Sequence, residues 1–183
     1  MGDHRNTSPT EAVFDGLLVT LAIAGDRAAA ERLARRWHPR LLRTARRLVG
    51  AAAAPSAVQD CWVSILRGIG RLRDPARFGP WAFGILHRRC ADVLRTQSAE
   101  RAGLGEEFKD AYSGANLPDD AFAIAQAMAE LPSDQRLAAQ LYFVERLTLA
   151  EIAAVQRVPV GTAKSRLFHA RRRLKAALSG DDQ

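Results

Sequence analysis

The stretch LTLAEIAAVQRVPVGTAKSRLFHARRRLKAAL, residues 147–178, decides how the rest of the chain is read. Thr148 precedes a short apolar-patterned run, and Glu151 follows three residues later. That is the spacing of a capping box, in which hydroxyl and carboxylate satisfy the free amides of a helix's first turn. Leu149, Ile152 and Ala153 give the run one apolar face. A break at 156–159 follows, and a longer helix is predicted from about residue 160 to 178. Two helices joined by so short a turn form a helix-turn-helix, whose second helix ordinarily enters the major groove of DNA.

The second helix passes a geometric test. At about 100° per residue, Ala163, Leu167, Ala170 and Leu174 fall on one narrow stripe that must pack on the first helix. The opposite side collects Thr162, Ser165, Arg166, His169, Arg172 and Arg173, with Lys164, Phe168, Arg171 and Lys175 flanking it. Guanidinium groups can fork onto guanine and hydroxyls can reach bases or phosphates, so this face suits DNA. The plainer alternative is a solvated basic helix face.

Outward from this motif, charge divides the chain. The 183 residues carry +7 overall, distributed as −2 over 1–23, +10 over 24–95, −5 over 96–130, +6 over 131–178 and −2 over the last five residues. Two basic blocks flanking an acidic connector suggest two surfaces facing polyanions. Helical periodicity fails in the connector, where Gly103, Gly105, Gly114 and Pro118 punctuate scattered apolar residues. At about 25 residues it is too long for a loop inside a compact domain and reads as a linker. Both flanks are rich in Ala, Leu and Arg and lack β-branched alternation, so the fold class is all-α, with two small helical domains. Helices are expected at about 10–24, 26–37, 39–50, 56–69 and 80–97, and again at about 119–130, 133–145, 148–155 and 160–178. Pro39 is expected to break the chain into two helices.

The helix beginning near Trp81 also has two faces. Phe83, Leu86, Cys90, Val93 and Leu94 form a buried stripe, while Trp81, Ile85, Arg88, Asp92 and Arg95 lie opposite. Arg71, Arg73, Arg77 and Phe78 precede it. Aromatics interleaved with guanidinium groups suit single-stranded nucleic acid, where bases stack and phosphates need countercharge. The alternative makes Trp81 and Phe78 core anchors and pairs Asp92 with Arg88 and Arg95. The preceding helix has a core face of Val58, Trp62, Ile65, Leu66 and Ile69, with Gln59, Asp60, Val63 and Arg67 off it. Trp37, Cys61 and Cys90 read as core. No apolar run approaches the 18 residues of a membrane span, and no secretory signal or cysteine framework is present, so a cytoplasmic setting is expected. A Gly-rich phosphate loop, paired catalytic carboxylates, a nucleophile motif and metal-ligand spacing are all missing, so the reading is of a non-enzyme that needs no cofactor.

Taken in order, these pieces resemble a bacterial extracytoplasmic-function (group IV) sigma factor of RNA polymerase, in the sigma-70 family, over nearly the whole chain. HPRLLRTARRLVG (38–50) looks like the family's region 2.1 and SAVQDCWVSILRGI (56–69) like region 2.2. PWAFGILHRRCADVLR (80–95) looks like regions 2.3 and 2.4, and LPSDQRLAAQLYFVERLTLAEIA (131–153) with the helix after it looks like region 4. The resemblance implies a leader at 1–23, a sigma-2 domain at 24–97, an acidic linker at 98–120, a sigma-4 domain at 121–178 and a tail at 179–183. It implies that Gln59, Asp60, Val63 and Arg67 dock on core RNA polymerase, at the β′ clamp helices. Arg71, Arg73, Arg77, Phe78, Trp81, Ile85, Arg88 and Arg95 would capture the melted minus-10 element. Thr162, Lys164, Ser165, Arg166, Phe168, His169 and Arg173 would read the minus-35 duplex. Implied partners are core polymerase (also through the β flap), promoter DNA and an anti-sigma factor, with no membrane contact.

The chain departs from the family pattern at Ala51–Ser56, where an acidic run is usual, and at His169, where arginine is common. Two other readings compete. A stand-alone helix-turn-helix regulator needs a ligand pocket or dimer seam in its N-terminal block. A helical interaction protein with merely solubilising charge would show little salt-dependent DNA affinity.

Overall fold

A computed structural model describes residues 9–102 and 119–179, and every regular element among them is helical. The helices are α1 (Pro9–Ile23), α2 (Arg27–Gly68), α3 (Phe78–Ala102), α4 (Asp119–Ala129), α5 (Ser133–Ala139), α6 (Leu149–Gln156) and α7 (Val160–Ser179). Two single-turn 3₁₀ segments, Ile69–Arg71 and Pro75–Arg77, lead into α3, and a π turn, Gln140–Val144, extends α5. The sequence assigned 98–102 to the linker, but these residues continue α3. Residues 119–120 of the same linker reading open α4, while 103–118 lie outside the described residues, as do 1–8 of the leader and 180–183 of the tail.

Pro39 does not break its helix. α2 runs through both Pro39 and Pro55 and departs from helical backbone at Gly50 (φ 81°, ψ 167°). A proline costs one amide bond, yet Leu33, Trp37, Leu41 and Leu48 keep one buried stripe across Pro39. The positive φ at residue 50 is cheap only for glycine, and the buried stripe restarts beyond it with Ala54, Ala57, Val58, Cys61 and Ile65. The two limbs of α2 lie side by side, lining one apolar groove of about 740 Å³ with Leu33, Pro39, Trp62, Ile65, Leu66 and Ile69.

Trp37 is the hub of this part of the core. Its ring meets Phe78 edge-on at 5.2 Å and Phe83 at 5.8 Å between centroids. Gly79 lets α3 start against it, because a Cβ at that position would stand 2.7 Å from the buried Trp37 ring. The packing does not stop at the N-terminal helices. One continuous apolar cluster runs from Leu18, Trp37 and Phe83 through Leu137, Leu141, Ile152 and Val155 to Ala163. α6 lies against α3, and α5 touches α2. The two basic blocks of the sequence are thus closed onto each other.

Candidate nucleic-acid interface

The helix-turn-helix forms as its sequence predicts. Thr148 Oγ1 accepts from the Glu151 amide at 3.3 Å, and the Glu151 carboxylate accepts from the Thr148 amide at 2.8 Å. α6 ends at Arg157, whose backbone is left-handed (φ 55°), and α7 follows almost at once. Ala163, Leu167 and Ala170 are buried, and Leu174 packs at the end of the same stripe. Thr162, Lys164, Ser165, Phe168, His169 and Arg173 are exposed along α7, Phe168 by 60%. Ser165 Oγ donates back to the Gly161 carbonyl at 3.1 Å.

Arg166 is arranged differently. Its guanidinium donates to the Asp134 carboxylate at 2.6 Å and to Gln156 Oε1 at 3.1 Å, while Gln156 Nε2 donates to the Asp134 carbonyl at 2.7 Å. The side chain thus ties α7 to α5 and α6 instead of standing out toward a groove. Sequence periodicity gave only its direction; Asp134, 32 residues away, supplies the partner.

In the first block, Gln59, Asp60, Val63 and Arg67 are all exposed on one side of the second limb of α2. Leu66, read from the sequence as core, is 66% exposed beside them. It sits at the lip of the apolar groove, which the period of the buried stripe could not reveal.

Arg71, Arg73 and Arg77 are exposed, but two of the expected minus-10 contacts are corrected. Phe78 is fully enclosed between Trp37 and Trp81, and Ile85 is only 5% exposed within the core. Phe78 follows the anchor reading, because the turn into α3 points inward where the sequence alone left its direction open; Ile85, which that reading did not include, is core as well. Trp81 is half-buried, packed over Gly68 and tilted against Phe78. Asp92 pairs with Arg95 and, at 3.3 Å, with Arg89 rather than Arg88. Arg89 also donates to Ser64 Oγ at 2.9 Å, stitching α3 to α2. Arg88 remains exposed, and desolvation together with the nearby Arg157 and Arg89 charges lowers its pKa. Burial pushes the Cys61 and Cys90 thiols up to about 12, as expected for inert core cysteines.

A set of residues that the sequence reading did not single out joins the two blocks. Glu145, at the end of the π turn, is 1% exposed and accepts from Arg40 Nε at 2.9 Å, Arg43 at 3.4 Å and Thr44 Oγ1 at 3.4 Å. Arg47 donates to Gln140 Oε1, and Arg136 reaches the Arg47 carbonyl at 3.3 Å. His87, on α3, is held at the α6 boundary; burial lowers its pKa, against the hydrogen bond to the Val155 backbone and the Asp134 charge.

Comparison with known proteins matches residues 33–100 to the family model for sigma-70 region 2 and residues 121–174 to that for sigma-70 region 4. The ECF RNA polymerase sigma factor SigM of Mycobacterium tuberculosis is 33% identical over 165 residues, which cover 90% of this chain and 84% of that protein. The ECF RNA polymerase sigma-E factor of Escherichia coli is 27% identical over 177 residues, covering 88% and 93%. Among solved structures, the sigma factor RpoE in complex with the anti-sigma factor NepR from Bartonella quintana shares the fold, with a TM-score of 0.72, 24% identity and coverage of 81% and 96%.

Proposed function

The chain belongs to the ECF RNA polymerase sigma factors, and from that premise we propose how its surfaces divide the work of a promoter-specificity subunit. A sigma factor binds core RNA polymerase and promoter DNA and directs promoter-specific transcription initiation; this chain does so. The finer assignments are our own. The sigma-2 domain, 24–97, presents Gln59, Asp60, Val63 and Arg67 to the β′ clamp helices, with Leu66 as an apolar addition to the same contact. Arg71, Arg73, Arg77, Trp81, Arg88 and Arg95 face the melted minus-10 strand; Phe78 and Ile85 hold the scaffold beneath them. The sigma-4 domain, 121–178, engages the β flap and lays α7 on the minus-35 duplex through Thr162, Lys164, Ser165, Phe168, His169 and Arg173.

One observation carries this reading: α7 buries a single small-residue stripe and leaves a full basic, hydroxyl-bearing and aromatic face to solvent, directly after a capped short helix. Such a face supplies both phosphate countercharge and base contacts. No group in this assignment does covalent chemistry, so the chain acts by binding alone, in the cytoplasm where its polymerase resides. Among the described residues no helix is long and apolar enough to cross a membrane. An anti-sigma factor is the proposed negative partner, by analogy with the complex of the Bartonella protein.

The test is co-migration with sigma-free bacterial core polymerase on a sizing column. The wild-type chain is expected to co-migrate, and Gln59→Ala combined with Asp60→Ala is expected to weaken the association. Free migration of folded, inhibitor-free protein would transfer support to the stand-alone regulator.

A further inference from the structure

The groove between the two limbs of α2 is open because part of its wall is built from small residues. Ala22 of α1 and Ala30 and Ala34 of the first limb line it where larger side chains would fill it, together with Trp62 and Leu66 of the second limb. Trp62 is only half-buried and Leu66 is 66% exposed. Apolar surface left facing water is unfavourable in proportion to its area, and a concentration of it marks a place that something covers.

Charge and size point to the occupant. Among the described residues, the ionisable groups lining the groove are Arg35 and His38, three residues apart and so on one side of the first limb. Both are exposed, and among the described residues neither has a hydrogen bond or ion pair; Glu31, one turn before Arg35, is not its partner. Arg35 is cationic at every physiological pH and offers a fork that suits a carboxylate, while His38 adds a ring N–H donor. An apolar trough with such a rim is complementary to an amphiphile whose single head is anionic. Its volume of about 740 Å³ falls within the range of about 300–1,000 Å³ typical of small-ligand sites. A helix about 10 Å across fills about 80 Å³ per Å of its length, so the same space holds less than about two turns of one. A flexible acyl chain fits it better.

We propose that the groove binds a free single-chain fatty carboxylate, the chain against Trp62 and Leu66 and the head on Arg35 and His38, and that the bound chain competes with core polymerase for Leu66. The competition rests on the sigma-factor reading above; the binding site does not.

The probe is 12-bromododecanoate, added to the full chain at concentrations where it is monomeric and read by tryptophan fluorescence, because bromine against an indole quenches its emission. Quenching should saturate, and Trp62→Phe should remove most of it. Displacement of the probe then ranks other ligands. Decanoate should bind about tenfold more weakly than dodecanoate, as two fewer buried methylenes require. Arg35→Ala with His38→Ala should weaken dodecanoate by about tenfold and leave dodecanol unchanged, since only the carboxylate loses charge-assisted hydrogen bonds. Ala34→Leu, which fills the groove, should weaken both. Helical circular dichroism at the wild-type level shows that a variant is folded, and if Ala34→Leu unfolds the rim variant decides. In titrations of sigma-free core polymerase, dodecanoate at about ten times its dissociation constant should raise half-saturation by about tenfold, and not for Ala34→Leu. Quenching that does not saturate, or that the folded variants leave unchanged, overturns the site. Equal affinity for dodecanoate and dodecyltrimethylammonium overturns the anionic head. Saturable binding with unchanged polymerase affinity overturns the competition. Saturable binding by a chain that polymerase does not take up leaves the site standing and removes the sigma-factor reading instead.

Discussion

Arg166 shows how one side chain can be pulled from recognition into structure. By helical position it belongs with Ser165 and His169 on the outer side of α7, yet Asp134 and Gln156 hold its guanidinium. The Asp134 carboxylate is half-exposed, so the ion pair contributes modestly, about 0.5–1 kcal/mol. Arg166→Ala should therefore lower thermal stability slightly and weaken promoter and random duplexes to the same extent. A loss larger by about 1–3 kcal/mol on the promoter duplex would show that the arginine reads a base after all. Asp134→Ala, which frees the guanidinium and removes a negative charge, should strengthen non-specific duplex binding in a mobility-shift assay. Phe78 and Ile85 make the complementary point. Their residue types and spacing fitted a stacking surface as well as a core; Phe78 turns inward onto Trp37, some 40 residues earlier, and Ile85 is enclosed in the same apolar cluster. What was legible at this scale was the identity of the outward groups on α7; what was not was any partner supplied by a distant segment.

Among the elements, those with a complete local code were readable in advance. The capping box at Thr148, the turn after Gln156 and the four-three-four apolar stripe of α7 each declare themselves within a few residues, and all three are present. α2 was read less well because Pro39 and Gly50 give competing signals, and the buried stripe across Pro39 overrides the proline. The turn of the helix-turn-helix leaves one residue under strain. Arg157 caps α6 with left-handed backbone, which costs an L-residue roughly 1–2 kcal/mol and glycine little. Arg157→Gly should accordingly raise the stability of the chain by about 1 kcal/mol in chemical denaturation, and it also removes the like charge facing Arg88. A loss of stability would mean that the arginine side chain contributes more than its backbone costs.

At the scale of the whole molecule, acid should loosen the closed form through His87. The imidazole is surrounded by the Val155 backbone of α6, Asp134 of α5, Arg166 of α7 and Arg88 of its own helix, and burial holds its pKa below the ordinary 6.5. The neutral form is therefore the one the interface favours. Its contribution is fully present above about pH 6.5 and is lost as the pH falls below that value, since the opened chain then binds more protons. Denaturation midpoints measured at pH 7.5 and 5.5 should fall with acid in the wild type and fall less in His87→Gln; equal falls would assign the effect to other groups. The contact of Glu145 with Arg40 and Arg43 also has a direction in time. Glu145 stands 105 residues after Arg40, and a ribosome adding about 5–20 residues per second makes the arginine roughly 5–20 seconds before the carboxylate. For that interval Arg40 and Arg43 exist without the carboxylate that accepts their hydrogen bonds. The arginines of α2 are therefore made before the residue that neutralises them, and α6 and α7 follow later still.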